Sequence, residues 1–139
     1  MSLEEGQRPP FPDAYRHTIF RGPGATPPFP ESFAIVTAWA TTGEVWPVER
    51  NLDASGALES RLQGLGLPHL PLTGEAPDGT HIEPSWRVET SMTQAVALGL
   101  EFLQHAIYWV HEDRLYVVLC APDRPEPWLI GRWREQLRS

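Results

Sequence analysis

Apolar and polar positions fall into a regular order from Phe33 onward. Phe33 to Ala40 is apolar and rich in β-branched residues, which predicts a buried strand. Leu58, Leu62 and Leu65 then recur at helical spacing, with Gly64 and Gly66 as stop signals, so a helix is expected from Asp53 to Leu65. His69 to Thr73 fits a short strand, and Pro77-Asp78-Gly79-Thr80 marks a reversal in which proline presets φ and glycine accepts a positive one. Glu83 to Thr90 alternates, with Pro84, Trp86, Val88 and Thr90 against Glu83, Ser85, Arg87 and Glu89, the pattern of a half-exposed strand. Ser91 stands three residues before Gln94 as in a capping box, so a second helix is expected over Met92 to Gln104, with Val96, Leu100 and Leu103 on its apolar face. Ala106 to His111 and Leu115 to Ala121 are strand-like runs joined by a hairpin at Glu112-Asp113-Arg114.

The flanks are less periodic. Residues 1–12 read as a flexible N-terminal tail, Ala14 to Phe20 as a first strand, and Arg21 to Pro30 as a loop, because glycine and proline are too dense there for a regular element. From Phe33 the order is strand, helix, strand, strand, helix, strand, strand. Its first six members match the split βαβ order of ferredoxin-like folds. The expected fold class is therefore α+β, a two-layer sandwich with a mostly antiparallel sheet and two main helices. A single domain over residues 13–125 is expected, followed by a C-terminal extension, residues 126–139, packed on it. The last two strands are apolar on both faces, so the sheet needs a second cover, which the N-terminal segment or Trp128 to Leu137 could supply.

Composition narrows the functional classes. A length of 139 residues suits one domain, and 41% hydrophobic with 21% charged residues is a globular balance. The single cysteine, Cys120, allows no intrachain disulfide and no thiolate cage, which fits a reducing, cytoplasmic setting, and the start of the chain has the wrong charge for a signal peptide. No apolar stretch approaches the ~20 residues that span a bilayer, so no membrane is expected. The net charge of −7 disfavours nucleic acid. All 11 basic residues are arginine, and the lack of lysine excludes a Schiff base and a P-loop alike.

Four short motifs occur in order: Thr37-Ala38-Trp39, Asn51, Glu83-Pro84-Ser85, and Phe102-Leu103-Gln104-His105-Ala106. Over Ala14 to Cys120 the chain resembles a bacterial family known as a domain of unknown function, whose run is Thr-Ala-x-Asn-Pro, an asparagine before the first helix, Glu-x-Ser, and Phe-x-Gln-x-Ala. The departure is at Ala40-Thr41, where that family tends to carry Asn-Pro. The resemblance implies no activity. It singles out Thr37, Trp39, Asn51, Glu83, Ser85 and Gln104 as candidate binding residues. They could converge on one pocket with Glu83 as base or anchor and the amides as hydrogen bonders, or they could serve the fold, with Asn51 capping a helix and Trp39 packing in the core.

Other chemistries fail on their motifs. His81-Ile82-Glu83 matches half of a zinc deaminase signature, but Pro-Cys-x-x-Cys is absent. The five histidines never fall at His-x-x-x-His spacing, so no metal and no cofactor are expected. No Gly-x-Ser-x-Gly elbow presents a serine, Cys120 reads as a small buried hydrophobe, and His111-Glu112-Asp113 as a solvated hairpin tip. Trp128 and Trp133 lie among arginines, and packing over the open sheet face is their expected use. The reading that remains is a non-catalytic binding or protein-interaction module with a protein partner or a second copy of itself. The alternative is a small enzyme with a Glu83-centred pocket.

Overall fold

A computed structural model describes residues 10–40, 45–121 and 126–139. The expectations for residues 1–9, for the loop through Gly43 and for residues 122–125 lie outside the described residues. The order is α1 (Ala14–His17), β1 (Ile19–Arg21), β2 (Ser32–Val36), α2 (Val48–Gly64), β3 (His69–Glu75), β4 (Ile82–Val88), α3 (Met92–Glu101), β5 (Ala106–His111), β6 (Arg114–Leu119) and β7 (Pro127–Arg132), with short 3-10 turns at Pro23–Ala25 and Trp133–Gln136. The seven strands form one antiparallel sheet, β1-β3-β4-β2-β5-β6-β7, curled into a half-barrel. The central order β3-β4-β2-β5 follows from two crossovers through α2 and α3.

Both long helices cover one face. Leu58 and Leu62 of α2 and Ala95, Val96 and Leu98 of α3 pack against Ala34, Val36, Val88, Ile107, Trp109 and Val118. Arg61 of α2 and Glu101 of α3 also meet, Nε to Oε2 at 3.2 Å, in an exposed ion pair of small worth. The concave face is covered by both chain flanks, as the two-faced apolarity of the last hairpin requires. Phe20, Ala25, Phe29, Trp133 and Leu137 fill it over Phe33, Ile35 and Val110, and Phe11 and Tyr15 extend the cover to Trp128 and Val117. Phe11, inside the stretch expected as a tail, is thus buried, and the stretch expected as an extension supplies β7. The two ends of the curl also touch. Phe20 forms a parallel bridge with Leu137, and the Arg138 amide donates to the Phe20 carbonyl.

Several local expectations change. Ala14–His17 is a helical turn and not a strand, because Tyr15 and Arg16 amides donate back to the Pro12 and Asp13 carbonyls, so only Ile19–Arg21 pairs. The first long helix starts at Val48 and not Asp53, with the Arg50 and Asn51 amides donating to the Pro47 carbonyl, so Asn51 lies inside it. The strand over Ile82–Val88 is not half-exposed. Arg87 is only 9% exposed, under the Pro-rich loop, where its guanidinium donates to the Gly24 and Pro28 carbonyls and faces the rings of Phe29 and Phe33. Burial lowers its pKa.

The second helix has the expected N-cap, Ser91 Oγ accepting from the Gln94 amide. Its buried residues are Ala95, Val96, Leu98 and Gly99, however, while Leu100 and Leu103 are exposed. Gly99 is small because the helix lies close to the sheet there. A Cβ on Gly99 would meet Cys120 Sγ at 2.4 Å and Ile107 Cγ2 at 3.0 Å. Burial here pushes the Cys120 thiol pKa up to about 11, which suits its reading as an inert hydrophobe. Gly99→Ala is therefore expected to destabilise the domain by about 1–3 kcal/mol through overpacking. In a Cys120→Ala background that cost should shrink or reverse, since alanine gains roughly 1 kcal/mol of helix propensity. Urea midpoints of the four proteins measure the coupling, and equal costs in both backgrounds would refute it.

Candidate functional site

Thr37, Trp39, Asn51 and Gln104 gather at the end of β2, where the chain leaves the sheet between α2 and the turn after α3. Thr37 Oγ1 donates to the Pro84 carbonyl at 2.8 Å and accepts from the Trp39 amide at 3.0 Å. Asn51 Oδ1, buried in α2, accepts from the Ala40 amide at 2.8 Å. Gln104 Nε2, also buried, donates to the Trp39 carbonyl at 2.8 Å and to the Phe102 carbonyl at 3.1 Å. Two side chains, from α2 and from the turn after α3, thus hold the four-residue segment 37–40, and Thr37 within it ties the segment to β4. Buried main-chain groups outside a ladder need such partners. Asn51 caps no helix, and its partner lies 11 residues upstream. Ala40 ends this described segment, and Thr41, the other half of the departure from the family pattern, lies outside the described residues.

The turn after α3 is shaped to deliver Gln104. The Gln104 amide donates to the Gly99 carbonyl at 2.8 Å and Leu103 takes φ 61°, a Schellman-type ending with leucine where glycine is usual. A left-handed leucine costs on the order of 1 kcal/mol. The helix therefore stops at Glu101, short of the expected Gln104, and the glutamine is freed to reach Trp39.

Glu83 and Ser85 lie on the concave side of β4. Ser85 is buried and its hydroxyl donates to the Glu83 carbonyl at 3.1 Å. Glu83 is half-buried, and its carboxylate has His81 Nε2 at 3.7 Å. Burial raises its pKa, and His81 opposes the shift in part. Tyr108 lies close enough for the Glu83 charge to act on it. Its hydroxyl donates to the Tyr15 carbonyl at 2.8 Å and lies 2.9 Å from Thr18 Oγ1, and burial raises its pKa far above the ordinary range. Trp39 is half-buried. A cleft of ≈340 Å³ between α2 and β3–β4 includes Ser85, Pro84 and Trp86 in its lining, but not Thr37, Trp39, Asn51, Glu83 or Gln104.

Sequence reasoning missed two polar contacts. Ser32 Oγ and His111 Nδ1 bond directly across β2 and β5, and His111 Nε2 stands 3.7 Å from Glu112. Only the cross-strand register pairs a serine with a histidine 79 positions away. The buried Arg87 was hidden because alternation placed it on the polar side of its strand. No group of three or more potential metal ligands occurs among the described residues.

Asn51→Ala should cost about 1–3 kcal/mol, the penalty of leaving the Ala40 amide without its acceptor, and raise amide exchange at Ala40 in hydrogen-exchange measurements. Unchanged exchange would refute the anchoring role. Glu83 gives a pH signature. Its folded pKa is raised above the ordinary 4.5, so its contribution to stability is present below that pH and is lost as pH rises through the folded value. Glu83→Gln should remove this loss, so denaturation midpoints of variant and parent diverge, to the variant's advantage, as pH climbs from about 4.5. A constant difference across pH would contradict it.

No curated protein and no solved structure matches the chain. No helix among the described residues is long and apolar enough to cross a membrane. A family model described as "Protein of unknown function (DUF3293)" matches residues 36–107, from the end of β2 to the start of β5, and encloses all six candidate residues. That match spans just over half of the 139 residues, and the chain belongs to the DUF3293 family.

Proposed function

We propose that this protein is a non-catalytic binding or protein-interaction module of the cytoplasm, built on a ferredoxin-like split βαβ unit from β2 to β5. The observation that carries the reading is the use made of the motif side chains. Asn51 and Gln104 end on main-chain groups of the segment 37–40, Thr37 on the Pro84 carbonyl and the Trp39 amide, and Ser85 on the Glu83 carbonyl. A catalytic site needs polar groups free to meet a reacting atom, whereas these side chains fix the shape of a backbone, as a recognition surface requires. Such surfaces are commonly set on rigid scaffolds of this kind.

A second reading, a small enzyme using Glu83, draws on the raised pKa of that carboxylate beside His81, the property expected of a general base or acid. A thermal-shift screen against cytosolic metabolites and peptides separates the two. The expected outcome is a ligand that raises the melting temperature, is recovered chemically unchanged after incubation, and stabilises Glu83→Gln equally. Conversion of the ligand that is lost in Glu83→Gln would overturn the binding-module reading in favour of the enzyme.

A further inference from the structure

All but two of the described arginines have a partner for the guanidinium. Arg16, Arg21, Arg61 and Arg134 meet carboxylates, Arg87 and Arg138 donate to main-chain carbonyls, and Arg50 lies 3.8 Å over the Trp46 ring. The exceptions, Arg114 and Arg132, are both exposed, and they stand directly opposite each other on β6 and β7. Like charges placed so repel. A shift in register makes the pair. Tyr116 faces Leu129, but the β-bulge beside it moves the pairing by one residue, so Arg114 meets Arg132 where the unbroken register would offer Gly131.

The two arginines end a polar row. Ser32, His111, Arg114 and Arg132 lie opposite one another on β2, β5, β6 and β7, on the face that the two long helices cover further along the strands. The nearby acids are already engaged. His111 bonds Ser32 Oγ through Nδ1 and has Glu112 3.7 Å from Nε2, while Asp113 Oδ1 stands 3.6 Å from Arg134 Nε. Neither Arg114 nor Arg132 has an ion pair or a side-chain hydrogen bond among the described residues. In the next row on the same face Tyr116 and Leu129, both half-buried, form an apolar shelf beside the guanidinium groups.

We propose that Arg114 and Arg132 form a binding site for the phosphoryl group of a phosphorylated residue on a partner protein. Each guanidinium presents a planar fork that matches phosphate oxygens, and the negative charge of the group removes the repulsion that the pair carries when empty-handed. Neither arginine lines the cleft beside α2 or the cavity at the β5–β6 turn. An open sheet face suits a group presented on a macromolecule, whereas a free metabolite is ordinarily held in a concave pocket. The net charge of −7 opposes a nucleic acid or an anionic membrane, which bind through many basic contacts, more than it opposes one phosphoryl group. The inference rests on the binding-module reading and names the chemistry of its partner.

The test is titration of the ¹⁵N-labelled protein with a blocked glycyl-phosphoseryl-glycine peptide, its unphosphorylated form and inorganic phosphate, following the Arg114 and Arg132 amides by NMR. The phosphopeptide is expected to shift both resonances and the unphosphorylated peptide to leave them in place. Arg114→Gln and Arg132→Gln should each weaken binding by about tenfold, the loss of one charge-assisted contact. Either substitution also relieves the like-charge pair, so the melting temperature should hold or rise, which separates lost binding from lost folding. No shift at millimolar phosphopeptide, an equal response to the unphosphorylated form, or full affinity in both variants would overturn the site. Inorganic phosphate binding as tightly as the peptide overturns the protein-borne assignment in favour of a free phosphate, and tighter binding of single-stranded DNA or phosphatidylserine vesicles at equal phosphate overturns it in favour of a polyanion. Mass analysis of the recovered peptide separates this claim from the binding-module reading. Intact phosphopeptide upholds both, release of its phosphate sinks the binding-module reading alone, and a different intact ligand from the screen with the two arginine amides unmoved by phosphopeptide sinks the site alone.

Discussion

Trp133 sits on the concave face of the sheet with Phe20, Phe29 and Phe33 around it at ring separations of 5.0–5.6 Å. A curled sheet of seven strands has an inner surface that neither long helix reaches, and a large ring delivered from the far end of the chain centres the cluster that fills it. Its position is fixed from outside the cluster as well, since the Trp133 amide donates to the Asp113 carbonyl at the β5–β6 turn. Loop, first strand, central strand and C-terminal turn meet on this one side chain. Arg87 closes the same space from the β4 side. Its charge is met by carbonyls and ring faces, an arrangement that works for a delocalised cation and fails for a compact one.

The other face obeys a different constraint, closeness. Ala95 and Gly99 let α3 settle against Ile107 and Cys120, and α2 fits beside it through Leu58 and Leu62. Where the two helices and β2 come together, the chain leaves the sheet with main-chain groups that no ladder serves. Thr37, Asn51 and Gln104 meet that need. The family motifs thus mark a junction. They record where one backbone turn must be held, and their spacing in sequence reflects three elements that converge there.

Most of the order of elements was legible because it rests on local signals. The periodicities of Leu58 and Leu62, the cap at Ser91, the Gly79 turn and the two apolar runs after Ala106 each correspond to an element found. The failures share a cause, in that distant partners decided them. Helix α2 begins early because the Pro47 carbonyl receives two amides, which no hydrophobic period reports. Leu100 and Leu103 look like core by spacing, yet Ala95, Leu98 and Gly99 take the sheet-facing side of the helix and leave both exposed. Arg87 looks exposed by alternation until a proline-rich loop is laid over it. The candidate residues were visible as a set, but their partners, carbonyls and amides of Trp39, Ala40 and Pro84, leave no trace in a sequence, because every residue carries the same main chain.

The contact between the two ends of the curl bears on how the chain reaches this state. Gln136 donates to the Thr18 carbonyl, 118 positions away, beside the bridge from Leu137 to Phe20. Loops this long must close before their contacts give anything back, and topologies rich in them fold slowly. The helical face draws its core from residues between β2 and β6, whereas the concave face is complete only when Trp133 and Leu137 have joined Phe20, Phe33 and Val110. The inner face is thus the one whose apolar surface depends on the most distant contact in the chain.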